Sequence, residues 1–381
     1  VMYDEMMKDI DAVVVSTPDH SHALPGLIAL RNDKHVYIEK PLAHNIREVR
    51  LLTEAAAARP KVATQMGNQG ASGEGTRRIQ EMLAADMIGE VHTIHAWTNR
   101  PIWPQGGKVP EGTMPVPATL DWNLWLGAAE ERPYHEAYHP FSWRGYWDFG
   151  TGALGDMACH IIDSSFYALD LGYPSSAQAS VGQVYSQNWN PDYHPETAPP
   201  SSTIHLEFPA RGKGRPAVSM HWYDGGILPQ RPEELLPDEM MGEWGGGVIL
   251  EGTKGKLMHD VYGNNPRLIP TTRMEEKMPE PTMPRVEVSH QMDWANAAKE
   301  GRQPSSHLGK AGPLTETVLM GNLAIRGYDQ RFPKAGGKKD EYNVPGRTTL
   351  IWDGPNMRVT NVEEMNHFVT KEYREGFEVK G

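Results

Sequence analysis

Hydrophobic positions in the first seventy residues come in short, dense blocks separated by amphipathic stretches. Ala12 to Ser16 is a nearly unbroken apolar run, as expected of a parallel strand covered on both faces. Thr17-Pro18-Asp19 ends it, and Asp19 is placed to cap a helix over His20 to Arg31. His35-Val36-Tyr37-Ile38 predicts a second strand. Asn45 with Glu48 three positions on has the form of a capping box and predicts a helix through Ala58, stopped by Pro60. Val62 to Met66 predicts a third strand. This β-α-β-α-β order implies parallel strands with right-handed crossovers.

The pattern then changes period. Val91 to Trp97 alternates toward a strand, and a Pro/Gly-rich stretch from Arg100 to Pro117 predicts a long loop. Further strands are predicted over Ala177–Tyr185, Ser202–Phe208, Ala217–Tyr223, Gly247–Glu251 and Lys256–Asp260, spaced by turn residues as in an antiparallel sheet. Helices return over Val288–Glu300 and Leu314–Gly327. The fold class is therefore α/β plus α+β: a partial Rossmann-type parallel sheet followed by a larger, mostly antiparallel sheet domain with helices. The boundary falls near residue 70, with residues 71–381 forming the second domain and late segments packing back on the first.

Composition narrows the function. The 381 residues are 39% hydrophobic and 23% charged, ordinary for a globular protein. A net charge of −12 argues against nucleic acid and against an acidic membrane surface. The single cysteine, Cys159, excludes an intramolecular disulfide and a cysteine-based zinc site, but does not fix a compartment, cytoplasmic or exported. No apolar stretch is long enough to span a bilayer.

Two clusters carry chemistry. Glu39-Lys40-Pro41 closes the second strand, which places an ammonium at the carboxyl end of a parallel sheet, where open α/β sheets bind ligands. A lysine shielded there exchanges protons near neutral pH more readily than one in water, whereas a surface lysine beside a turn proline is the bland alternative. The second cluster is a Gly-rich loop, Gly150 to Gly155, entering a helix that runs to about Leu171. Asp156, His160 and Asp163 fall at i, i+4 and i+7 and share one face of it. They suit either a solvated helix face or an imidazole poised by a carboxylate for proton transfer. Upstream, Tyr134, His135, His139, Trp143, Arg144, Tyr146 and Trp147 offer aromatic planes for sugar rings and a guanidinium for hydroxyls or a carboxylate; domain packing is the competing role. His135-x-x-x-His139 has the spacing of two helical metal ligands, but Pro133 and Pro140 oppose a helix, so no metal is assigned.

Together, Thr17-Pro18 through His22, Glu39-Lys40-Pro41-Leu42 and Asp156-x-x-x-His160-x-x-Asp163 resemble the Gfo/Idh/MocA oxidoreductases, the family of glucose-fructose oxidoreductase and inositol dehydrogenase. The turn-like Gly252-Thr253-Lys254-Gly255 and the helix bearing Gln291-Met292-Asp293-Trp294 add to the likeness. The resemblance implies an NAD- or NADP-dependent enzyme that moves hydride between a sugar or polyol alcohol and nicotinamide, acting as a homo-oligomer without nucleic-acid or membrane partners. It implies that Lys40 and His160 handle the proton and that Asp156 orients hydroxyls or tunes Lys40. It implies cofactor contacts from Pro18, His22, Glu39, Lys40 and Gln69, substrate contacts from Arg144, Trp143, Tyr146 and Asp163, and a cis Lys40–Pro41 peptide. A redox-neutral, NAD-dependent glycosidase of the same fold is the alternative, and a non-catalytic binding or assembly subunit is the alternative of another class. No G-x-G-x-x-G precedes Ala12, and Gly67, Gly70, Gly73 and Gly75 follow the third strand instead. The expectation is that the phosphate-binding turn lies upstream of Val1 and that this polypeptide alone binds dinucleotide poorly.

Overall fold

The computed structural model describes residues 2–212, 215–334, 336–339 and 341–381. A short helix α1 (Met2–Met6) precedes strand β1 (Ala12–Val15), helix α2 (Ala23–Arg31), strand β2 (His35–Ile38), helix α3 (Ile46–Ala57), strand β3 (Thr64–Met66) and helix α4 (Glu74–Ala84). The three strands form one parallel sheet in the order β1-β2-β3, with Val13 opposite Val36 and Ile38 opposite Met66. All three run the same way, so Pro18, Lys40 and Gln69 follow the carboxyl edge of one sheet.

Two expectations are corrected here. Asp19 does not cap a helix: residues Asp19–Ser21 make a single 3-10 turn, α2 begins at Ala23, and the Asp19 side chain turns inward with 1% exposure. Nor is β1 covered on both faces. It is an edge strand of alternating burial, with Val14 59% exposed. The Asn45 cap forms as expected, its side chain accepting from the Glu48 N–H at 3.0 Å. Glu48 returns to the His44 N–H at 3.1 Å, one residue before the cap.

The second part is built on a sheet assembled from β4 (Val91–Thr98), β5 (Ser176–Val181), β6 (Ser202–Phe208), β7 (Val218–Tyr223), β8 (Gly246–Gly252), β9 (Gly255–His259) and β10 (Arg267–Ile269). A two-stranded ribbon, β11 (Phe332–Pro333) with β12 (Tyr342–Asn343), stands apart, and β13 (Leu350–Asp353) with β14 (Arg358–Val359) completes the large sheet. Its order is β10-β9-β8-β4-β7-β6-β5-β13-β14, antiparallel throughout except for the parallel pair β4–β7. The predicted two-residue turn at Thr253-Lys254 joins β8 and β9, with Gly252 opposite Gly255.

Helices α5 (Trp122–Leu126), α6 (Gly152–Ile161), α7 (Asp163–Leu169), α8 (His290–Glu300) and α9 (Leu308–Asp329) complete the chain. Helix α9 is buried along most of its length and touches both sheets' helices: Arg50 of α3 grips Glu316 of α9 through Nε at 2.5 Å and Nη2 at 2.8 Å. That bidentate pair, with Glu316 fully buried and Arg50 mostly so, locks α3 to the helix that also packs on α6. Among the described residues no helix is long and apolar enough to cross a membrane.

Candidate active site

Helix α6 starts where the sequence stops favouring extended backbone. Gly150 and Gly152 flank Thr151; Gly152 takes φ +64°, and a Cβ at Gly150 would sit 2.4 Å from the Arg144 Cα. Small residues thus let the chain turn tightly against the segment carrying Arg144. The predicted single helix to Leu171 breaks at Ile162, so Asp163 opens α7 and does not extend the Asp156–His160 face. The Asp163 carboxylate takes the Ser164 N–H at 2.8 Å, the local competition that a short acidic side chain offers a helix.

Lys40 and Asp156, separated by more than a hundred residues, meet directly. Lys40 Nζ lies 2.7 Å from Asp156 Oδ1 and 2.9 Å from the Asp156 carbonyl. Arg144 Nε approaches the same Oδ1 at 3.3 Å, and Arg100 Nε stands 3.6 Å from Oδ2. Burial acts to raise the Asp156 carboxyl, but Lys40 and then Arg144 outweigh it and hold it below the ordinary value. One turn further, His160 is buried and its Nδ1 has no hydrogen-bond partner. Burial and then the Lys40 charge depress its pKa to about 3, against a weaker upward pull from Asp156. The imidazole is therefore neutral at pH 7. Tyr262, at φ +64°, places its ring edge-on to His160 at 5.0 Å. The Lys40–Pro41 peptide is cis.

The remaining predicted site residues separate into two groups. Pro18, Glu39 and Gln69 line the sheet edge, with Glu39 partly buried and Gln69 exposed. The Glu39 carboxylate packs so closely on Gly67 that a Cβ there would meet Oε2 at 2.5 Å. A carboxylate and an amide at this edge have the chemistry to hold ribose hydroxyls and a carboxamide, so these residues fit the nicotinamide end of a dinucleotide. His22 is placed differently: it is buried, with Nδ1 2.8 Å from the Pro41 carbonyl and Nε2 2.7 Å from the Thr17 carbonyl. It braces the two edge loops. Trp143 lies under the Arg144 guanidinium at 4.3 Å, while Tyr146 packs edge-on against Tyr138 at 4.7 Å in a local aromatic core. Asp163 is fully buried, held by Ser164 and by the Asn68 amide at 3.1 Å, and burial lifts its pKa to about 7. His135 and His139 lie outside any helix.

Sequence reading missed Arg100, Tyr262, Thr151 and the inward role of Asp19. Arg100 follows the last residues of β4, and a cation at a strand terminus was its only local signal.

Two family models cover most of the first half of the chain. Residues 2–67 match "Oxidoreductase family, NAD-binding Rossmann fold" and residues 78–187 match "Oxidoreductase family, C-terminal alpha/beta domain", both of the Gfo/Idh/MocA group. Residues 2–67 and 78–187 thus carry the N-terminal and C-terminal domains of the Gfo/Idh/MocA oxidoreductase family. The chain is 33% identical over 97 residues to inositol 2-dehydrogenase 3 of Saccharopolyspora erythraea, covering 26% of this chain and 29% of that protein. It is 29% identical over 104 residues to a glycosyl hydrolase family 109 protein of Shewanella woodyi, covering 26% and 22%. The matched stretches thus span less than a third of either relative. Among solved structures, the WlbA dehydrogenase of Bordetella pertussis, in complex with NADH and UDP-GlcNAcA, superposes with a TM-score of 0.52 at 16% identity, over 85% of this chain and 80% of that one. A levoglucosan dehydrogenase in complex with NADH gives a TM-score of 0.51 at 15% identity, over 84% and 79%. At these identities the likeness establishes the fold shared by Gfo/Idh/MocA proteins.

Proposed function

We propose that this protein is an NAD(P)-dependent oxidoreductase acting on a secondary alcohol of a sugar or polyol. The observation that carries the reading is the Lys40–Asp156 ion pair, 2.7 Å across, one helical turn from a neutral, unpartnered His160. Oxidising an alcohol requires a proton acceptor for its O–H while hydride leaves carbon, and nicotinamide, when bound, supplies the hydride acceptor. Pro18, Glu39 and Gln69 would hold that cofactor. The neutral His160 imidazole would accept the hydroxyl proton. The Lys40 ammonium favours the developing alkoxide, and Asp156 both fixes Lys40 and favours the imidazolium that forms when His160 takes the proton. Trp143 carries Arg144 on its face, so that a guanidinium is held beside the reacting hydroxyl.

The test is NADH or NADPH formation by the full chain across neutral and acidic sugars and polyols. Lys40→Ala and His160→Gln should each lower turnover about 100-fold or more, the scale of one acid/base group. Turnover near the parent value in Lys40→Ala removes Lys40 from the mechanism.

The likeness to the glycosyl hydrolase family 109 protein favours a second reading, a redox-neutral glycosidase. Transient oxidation at a ring carbon acidifies the neighbouring C–H, the glycoside leaves, and water adds. Aglycone release from an aryl glycoside without accumulation of reduced cofactor would select this reading over the dehydrogenase.

A further inference from the structure

Three cations crowd one carboxylate in this site, and they are not equally satisfied. Lys40 has Asp156 at 2.7 Å. Arg144 has two acids, Asp156 at 3.3 Å through Nε and Asp19 at 3.3 Å through Nη1, and rests on the Trp143 ring. Asp19 in turn is anchored by the Thr151 hydroxyl at 2.6 Å, which holds it behind Arg144. Arg100 is different. Its Nη1 donates to the Asn99 side-chain oxygen at 2.6 Å, but Nε is 3.6 Å from Asp156, beyond hydrogen-bond reach. That Nε is shielded from solvent and has no partner among the described residues, although a quarter of the side chain remains exposed. A shielded guanidinium N–H left unfilled is costly. The exposed part of the side chain can meet a planar anionic acceptor, while Asp156 on the shielded side does not reach hydrogen-bond distance.

We infer that Arg100 is the docking point for a carboxylate on the substrate, so that the preferred substrate is a sugar acid and not a neutral sugar. The inference rests on reading this cleft as a sugar site. Arg100 is well placed for the task. It leaves the end of β4 through Thr98, whose hydroxyl accepts the Arg100 N–H at 3.3 Å, and its own carbonyl accepts the Gly225 N–H at 2.6 Å. The backbone is thus pinned on both sides while the guanidinium reaches toward Asp156. A carboxylate there would sit near Lys40 and Arg144 as well, so position along the sugar would be set by charge. The chain carries a net −12, so this local concentration of cations opposes the prevailing charge and would focus an anion into the cleft. A carboxylate matches one guanidinium fork. A dianionic phosphate would call for more free donors than Arg100 offers, since Lys40 and Arg144 are already paired.

Calorimetric titration of the full chain, without cofactor, with D-glucuronate, D-glucose and glucose 6-phosphate as probes tests this directly. Glucuronate should bind at least about tenfold tighter than glucose, the worth of one charge-assisted pair. In Arg100→Gln that ratio should collapse toward one, and in Arg100→Lys it should be partly restored. Equal binding of glucuronate and glucose by the parent chain overturns the inference, as does tighter binding of glucose 6-phosphate than of glucuronate or a ratio that survives Arg100→Gln. These outcomes are independent of turnover. A chain that binds glucuronate through Arg100 but oxidises no sugar would refute the enzymatic reading and leave the carboxylate site standing.

Discussion

Asp19 shows how one buried side chain can organise a site from behind. It accepts from the Thr151 hydroxyl at 2.6 Å and from Arg144 at 3.3 Å, joining the end of the parallel sheet to the start of α6. Removing it leaves a buried hydroxyl without its acceptor and frees one side of Arg144. Asp19→Ala should therefore cost about 1–3 kcal/mol, read from urea unfolding, because a buried polar group left unmet costs that much. A loss within about 0.5 kcal/mol would match an ordinary surface change and deny Asp19 this role. At this scale the sequence was only partly readable. Lys40, Asp156 and His160 were visible because each lies in a short motif whose spacing has chemical meaning. Arg100 and Asp19 were not, since each is a lone charged residue after a strand and gains its role only when the fold brings Asp156 near the first, and Thr151 and Arg144 to the second. Asp163 misled for the opposite reason. Its spacing put it on the His160 face, but the break at Ile162 turned it into the interior.

Elements were legible where local pattern and final environment agree. β6 was predicted at its observed bounds because its inward positions alternate without interruption. β1 was read correctly as a strand but wrongly as covered, since the side chains of Ala12 and Val14 cannot reveal which face receives a partner. The parallel contact of β4 with β7 could not be anticipated either, because strand order in a large sheet is set by packing between distant segments. The Gly150 turn is the element on which the site depends most. A side chain there would press on backbone, 2.4 Å from the Arg144 Cα and 2.7 Å from its carbonyl oxygen, where nothing can rotate away. Gly150→Ala should lose about 1–3 kcal/mol by overpacking, while Gly107→Ala, with open space around its Cβ, should stay within about 0.5 kcal/mol. Equal unfolding midpoints for the two variants would show that the Arg144 segment yields freely to the turn.

For the whole molecule, buried titratable groups set the response to acid. Burial holds His20 and His160 near pKa 3 and His259 near 4, against an ordinary 6.5, and keeps His44 well below that value. Each is neutral in the fold and takes up a proton when exposed by unfolding anywhere between its folded value and 6.5. The unfolded chain then binds more protons, so stability falls as pH drops through that window. Asp163 and Asp224 act in the opposite sense. Burial lifts them to about 7 and about 6 from 3.8, so the fold keeps protons that the unfolded chain releases, and their contribution fades as pH rises toward those values. The depressed histidines outnumber the raised carboxyls, so stability should increase with pH across about 4.5 to 6. Asp163→Asn deletes one opposing group. It should steepen that dependence by about one proton, close to 1.4 kcal/mol per pH unit, whatever its effect on stability at a single pH. Urea unfolding of parent and variant at several pH values in this range gives both slopes. Parallel slopes would mean that Asp163 is ionised inside the fold, with Asn68 and Ser164 supplying enough hydrogen bonding to hold a buried charge.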